Sequence, residues 1–287
     1  MLVCFFGVAV KARAQKYYSE NNLKELKVKA ATSKNQDRTH LLNQISNIYI
    51  HSSFYNPDSA LLYAEKSLNY CHNIQYIEGV CTAAELCAKI SLQLSQVNKA
   101  FEYYHLTQQL ASQTNNKQLM AFALRGIGHA LWYGGKFSQA IDTIKLSITL
   151  FENLSFTWEL SDLTMVLSSI YSDMGNYEKA FEVAQQSLQL SQGSKDRLNI
   201  ILSLVQMGYL YKNIGDYRTA LSYFRDALIY QPQSHEWCYR LLYNRMGDLY
   251  CEEKQYDSAN YFFSLSLRSH AESKTSLLRM GEYWRAR

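Results

Sequence analysis

The sequence predicts an all-α chain, an array of antiparallel helix pairs, and three observations carry that reading. Alanine recurs at Ala60, Ala100, Ala140, Ala180 and Ala220, forty residues apart each time, with Ala259 thirty-nine residues further on. Ahead of most of these alanines stands an apolar residue followed by a small one: Cys87-Ala88, Ile127-Gly128, Leu167-Ser168, Met207-Gly208 and Met246-Gly247. Only two prolines, Pro57 and Pro232, occur in 287 residues, which suits a mostly helical chain.

Residues 1–14 come first. Leu2 to Val10 is an apolar run, and Ala12-Arg13-Ala14 offers a small-x-small site before Gln15. This is similar to the end of a secretory signal peptide cut after Ala14, although no basic stretch precedes the run and Lys11 and Arg13 follow it. Export to the periplasm or beyond is the expectation, and a cytoplasmic protein with an apolar N-terminus is the alternative. The run is far too short to span a bilayer. A capping segment over 15–38 follows, with a helix from about Asn22 to Ala31 that is basic on its exposed face.

Six helical hairpins with a forty-residue period are expected over 39–273. The first helix runs from about Thr39 to His51 on Leu42, Ile45 and Tyr49, and Asn56-Pro57-Asp58-Ser59 starts its partner with Pro57 in the first turn. In each second helix the residue four beyond the alanine is Ala64, Tyr104, Ile144, Ala184, Phe224 or Phe263. Seven beyond it stands Ser67, Thr107, Ser147, Ser187, Ala227 or Ser266. Those offsets fall on one helical face, where the alanine admits a close neighbour and the larger residue fills the space beside it. Turns recur at Ser95-Gln96-Val97-Asn98, Gly134-Gly135-Lys136-Phe137, Gly175-Asn176-Tyr177, Gly215-Asp216-Tyr217 and Lys254-Gln255-Tyr256, where glycine can take positive φ and end the first helix. A last helix is expected near Thr275, with Met280-Gly281 and Trp284 on the first-helix pattern. Residues 274–287 then form an incomplete repeat or a polar cap.

Bulk properties exclude several function classes. The net charge of +4, or +2 without Lys11 and Arg13, is too weak and too evenly spread to suggest nucleic-acid binding. Cys4, Cys71, Cys81, Cys87, Cys238 and Cys251 form no C-x-x-C pair, so buried thiols are favoured over a zinc site or a disulfide framework. No G-x-S-x-G, H-E-x-x-H or phosphate-binding glycine loop is present, and the seven histidines stand apart. No enzyme, cofactor or metal is therefore expected.

The residue order resembles the tetratricopeptide repeat. The match is fullest over 201–234, through Met207, Gly208, Tyr211, Gly215, Tyr217, Ala220, Phe224, Ala227 and Pro232. It is nearly as full over 161–194 and 240–273, and weaker over 81–114. The usual unit of that family is 34 residues, so longer second helices or longer links must absorb the remainder. The first hairpin and the long repeats also resemble the N-terminal sensor regions of Bacteroidetes histidine kinases and helix-turn-helix regulators. That resemblance implies a downstream membrane helix and effector that are absent from this chain.

The resemblance further implies a right-handed superhelix whose first helices line a concave face. The residues expected on that face are Lys89, His129, Trp132, Tyr133, Asp173, Tyr209, Lys212, Asn213 and Asp248. An alternative packs Trp132 against the next unit. The family's grip on a peptide carboxylate by basic residues is not repeated: the matching places hold Glu85, Lys89, Arg125, His129, Met165 and Ser169. The function expected is a non-catalytic scaffold binding a protein or peptide, as the sensor or interaction part of a bacterial signalling protein. The alternative is a structural adaptor that self-associates, or joins a larger assembly, through its open ends.

Overall fold

The computed structural model describes residues 20–51, 55–230 and 236–268. The export-like segment 1–14, Cys4, Pro232 and the last helix expected over 274–287 lie outside them. Every element among the described residues is an α-helix, thirteen in all. A leading helix α1 (Glu20–Thr32) is followed by six pairs: α2 (Asn35–His51) with α3 (Pro57–Asn73), α4 (Ile77–Gln93) with α5 (Val97–Gln113), α6 (Lys117–Tyr133) with α7 (Phe137–Asn153), α8 (Thr157–Asp173) with α9 (Tyr177–Ser194), α10 (Arg197–Asn213) with α11 (Tyr217–Ile229), and α12 (Glu236–Glu252) with α13 (Tyr256–Arg268). The all-α class expected from the sequence is the class observed.

The forty-residue period has a simple construction. The helices from α3 to α8 are each 17 residues long, and three-residue links join them. The residues beyond the usual 34 thus lengthen both helices of a pair, and the links stay short. One residue in each of these links is left-handed: Gln75, Ser95, Asn115, Gly135, Ser155 and Gly175, then Lys195 and Gly215, each twenty residues after the last. The residue after it returns its N–H to a carbonyl five residues back. Tyr76 bonds Cys71, Gln96 bonds Ser91, Asn116 bonds Ala111 and Lys136 bonds Leu131 in this way, all at 2.8–2.9 Å. This closure satisfies carbonyls that a helix end would leave open. Asn56, Asn116, Asn176, Asp196 and Asp216 cap the following helices by accepting backbone N–H groups.

The helix expected to begin at Thr39 begins at Asn35, because the Asn35 N–H donates to the Tyr70 hydroxyl of α3 at 2.8 Å. Only Ser33 and Lys34 separate α1 from α2.

The forty-spaced alanines are the tightest positions: Ala60, Ala100, Ala140, Ala180 and Ala220 are fully buried, and Ala259 is nearly so. On three first helices the glycine faces a large residue sixteen positions later. A Cβ at Gly128, Gly208 or Gly247 would press into Ile144, Phe224 or Phe263, closer than van der Waals contact allows. The serines seven beyond the alanines tie the two helices of a pair. Ser67 Oγ donates to the Thr39 carbonyl, Ser147 to Ala121 at 2.8 Å, Ser187 to Ser161 at 2.8 Å and Ser266 to Arg240. Each is buried, so the bond offsets the cost of taking a hydroxyl out of water.

The chain divides into two compact units, Met1–Ser147 and Ile148–Arg287, with the boundary inside α7. In the first, Leu23, Ala30, Leu41, Leu42, Ile45 and Ile48 join α1 to α2. Ile50, Ala60, Leu61, Ala64, Cys87 and Ile90 join α2, α3 and α4. In the second, the core gathers on α10, which is buried without interruption from Leu198 to Gly208. A helix buried on every side must be enclosed by neighbours, and α9, α11 and α12 supply Leu188, Phe224, Leu242, Met246 and Leu249.

Candidate functional site

The site expected from the sequence lies on the first helices of the pairs, and each unit presents its own set. In the first unit, Lys89 is exposed and pairs with Glu85 one turn earlier on α4. The same Glu85 oxygen takes Arg125 Nη2 of α6 at 2.9 Å. This closed arrangement occupies Glu85, Lys89 and Arg125 with one another.

His129, Trp132 and Tyr133 occupy the last turns of α6. The His129 and Trp132 rings meet edge to face at 6.4 Å, and Trp132 and Tyr133 lie 5.8 Å apart. Trp132 is half-buried, whereas Tyr133 is 64% exposed and offers its ring to solvent. These two ring contacts of Trp132 are with neighbours on its own helix.

In the second unit the structure gathers Tyr209, Lys212 and Asp248 and adds two residues that the sequence reading missed, Arg245 and Glu252. The Arg245 guanidinium stacks 4.2 Å from the centre of the Tyr209 ring. Its Nη1 lies 4.0 Å from Asp248 Oδ2, and Lys212 Nζ lies 3.9 Å from Glu252 Oε1. Both distances exceed hydrogen-bond length. Burial pushes the Asp248 carboxyl above its ordinary value, against the pull of Arg245 and Lys212 and with Glu252 adding to the rise. Arg245 stands two before the small residue Gly247 and Glu252 five beyond it, off the positions used to choose candidates. Their spacing of three and four residues from Asp248 was the available signal.

Asn213 and Asp173 stand apart from this cluster. Asn213 is half-buried, and its Nδ2 reaches Ser172 Oγ of α8 at 3.5 Å. It joins a polar ladder in which Asn199 Nδ2 donates to the Trp158 carbonyl at 3.1 Å and Gln206 Nε2 to Ser168 Oγ at 3.2 Å. These three α10 residues are seven apart, so they share one face and hold neighbouring first helices together. Asp173 is exposed at the end of α8.

None of this assembles a reaction centre. Among the described residues no group of three or more His, Cys, Asp or Glu side chains could hold a metal ion. Cys71, Cys81 and Cys87 are buried free thiols, and burial pushes Cys81 up to about 11 and Cys87 up to about 12. They stay protonated near neutral pH and are poor nucleophiles. A depression of about 590 Å³ at Asn35, Gln36, Asp37, Ile74, Gln75 and Tyr76 carries one carboxylate and neither histidine nor cysteine. Among the described residues no helix is long and apolar enough to cross a membrane.

Comparison with known proteins agrees with this architecture. The family described as tetratricopeptide repeat matches residues 161–228. No curated protein matches the chain. Among solved structures, the apo form of RapI is 14% identical, with a TM-score of 0.67 over 92% of this chain and 95% of that one. A Rap protein complexed with competence and sporulation factor is 18% identical, with a TM-score of 0.67 over 88% and 70%. Aspartyl phosphate phosphatase F from Bacillus subtilis is 17% identical, with a TM-score of 0.67 over 94% and 70%. At these identities the likeness shows the fold alone: an all-α, tetratricopeptide-like array of helix pairs.

Proposed function

We propose that the chain is a non-catalytic scaffold that binds a protein or peptide, serving as the sensor or interaction part of a bacterial signalling protein. The observation that carries this reading is the division of labour in the repeat. Small residues and serines close the pairs, while the first helices keep aromatic and charged side chains at their surface, Tyr133 in one unit and the Tyr209–Arg245 stack in the other. Exposed aromatics and stacked arginines bury area on a partner at low entropic cost. A fold shared with a Rap protein solved in complex with competence and sporulation factor supports it.

The test is site-specific photo-crosslinking in extracts of the source cells. A photoreactive residue at Tyr133 or Tyr209 is expected to give discrete adducts of defined mass. The same residue at Arg225, exposed on the second helix α11, should give none. Equal labelling at all three positions, or none at any, overturns the reading.

A further inference from the structure

We infer that the first-helix face of the second unit receives an acidic segment of the partner, whose carboxylates are met by Arg245 and Lys212. This rests on the binding-scaffold reading and names the chemistry of the partner at one of its faces.

The argument starts from how the charges are held. In the first unit Arg125 and Lys89 are closed onto Glu85 by direct contact. In the second unit Arg245 and Lys212 have no carboxylate nearer than 4.0 and 3.9 Å. Among the described residues neither cation donates a hydrogen bond. Arg245 is nonetheless held in place, since its guanidinium carbon lies over the Tyr209 ring, 4.2 Å from the centroid. A stacked guanidinium at 34% side-chain exposure presents a planar fork, the geometry that a carboxylate accepts in two parallel bonds. The Lys212 side chain is only 14% exposed, so its stem is packed and its ammonium is directed by the fold.

The sign of the ligand follows from the two acids. Glu252 is 57% exposed, is well solvated and loses little if a ligand displaces it. Asp248 is the acid that burial works against. The charged groups acting on it are Arg245 and Glu252 of its own helix and Lys212 of α10. An arriving carboxylate meets the two cations across from Asp248, the acid whose charge burial already disfavours. A basic segment would have to approach both cations while relying on the acid least able to keep its charge. Complementarity therefore favours an acidic partner.

Three fluorescein-labelled twelve-residue peptides test this, each a Gly-Ser repeat carrying glutamate, lysine or glutamine at every third position. Anisotropy at low salt should show the glutamate peptide binding, and the other two binding more weakly. Arg245→Gln and Lys212→Gln should each weaken it about tenfold, the loss of one charge-assisted bond. Arg245→Lys should recover part of the loss. Asp248→Asn should tighten binding at neutral pH and remove the gain in affinity that the wild type shows as pH is lowered. Melting curves of each variant separate folding from binding, and Lys212→Gln, which leaves the Arg245–Tyr209 contact in place, reads the same question if Arg245→Gln fails to fold. Preference for the lysine peptide, no glutamate-peptide binding, or full affinity in both glutamine variants overturns the inference. If the partner crosslinked at Tyr209 still binds the double variant Arg245→Gln, Lys212→Gln, this inference falls while the scaffold reading stands. If no partner is crosslinked at all, the scaffold reading falls.

Discussion

In the first unit, Glu85 of α4 holds Arg125 of α6, and Glu65 of α3 accepts bonds from Lys99 at 2.9 Å and from the Tyr103 hydroxyl at 2.7 Å on α5. In the second, Asn199, Gln206 and Asn213 of α10 reach α8 with neutral amides, and the Ser187 hydroxyl lies 2.9 Å from that of Ser203. The helices, links and crossing points follow one plan, yet the closest polar ties between neighbouring pairs are ionic in the first unit and neutral in the second, where Lys212 and Glu252 approach only to 3.9 Å. The repeat therefore constrains size where helices cross and leaves the chemistry of the tie open. Salt and pH should act on the ties made through Glu85 and Glu65 and spare the amide and hydroxyl ties of Asn199, Gln206 and Ser187.

The largest expected effect ignores that distinction. Gly208→Leu drives a side chain into Phe224 and should cost about 3 kcal/mol or more, read as a fall in melting temperature. Gly193→Ala is the control: its Cβ meets nothing within 4 Å, and it should gain about 0.5–1 kcal/mol from helix propensity. If the two variants melt alike, close approach at Gly208 is not what the repeat requires.

Next in size is a neutral tie. Ser187→Ala removes the bonds to the Ser161 carbonyl and the Ser203 hydroxyl inside the second unit. The loss should be about 1–2 kcal/mol and the same at low and high salt. A loss that shrinks with added salt would show that charge matters there.

Glu65→Gln probes an ionic tie. Burial works to raise the Glu65 carboxyl, but the bonds from Tyr103 and Lys99 and the charge of Lys99 bring it below its ordinary value of 4.5. A lowered folded-state value means that the contribution is present above the unfolded-state value and is lost as pH falls through the folded one. The variant should therefore cost about 1 kcal/mol near neutral pH, discounted for the partial exposure of the pair, and nothing in strong acid. A cost independent of pH would mean that Glu65 acts by packing.

The smallest effect concerns a link. Ser95 sits at φ 60°, where its counterparts Gly135, Gly175 and Gly215 are glycines. Ser95→Gly should raise stability by about 0.5–1 kcal/mol by relieving the left-handed backbone. A loss would show that the serine side chain matters more than the strain.

Much of the fold was legible because its signal is volume. Alanines at a fixed interval, with a small residue seven beyond, can be read directly from letters, and they are buried as that spacing requires. The links were half legible. Glycine marks Gly135, Gly175 and Gly215, but Gln75, Asn115, Ser155 and Lys195 take the same backbone conformation with no letter to announce it, so the twenty-residue regularity stayed hidden. On the candidate face, Tyr209, Lys212 and Asp248 were found by their offset from the small residue. Arg245 was not, because its place depends on the Tyr209 ring of the preceding first helix.

By itself the sequence determined the class, the period and the residues at which helices press together, because these depend on side-chain size repeated along one chain. The tertiary structure alone decided where α2 begins, which serines and amides bind across helices, and which charges meet closely or loosely. Those outcomes depend on partners far apart in the chain, brought within a few ångströms only after the helices have stacked.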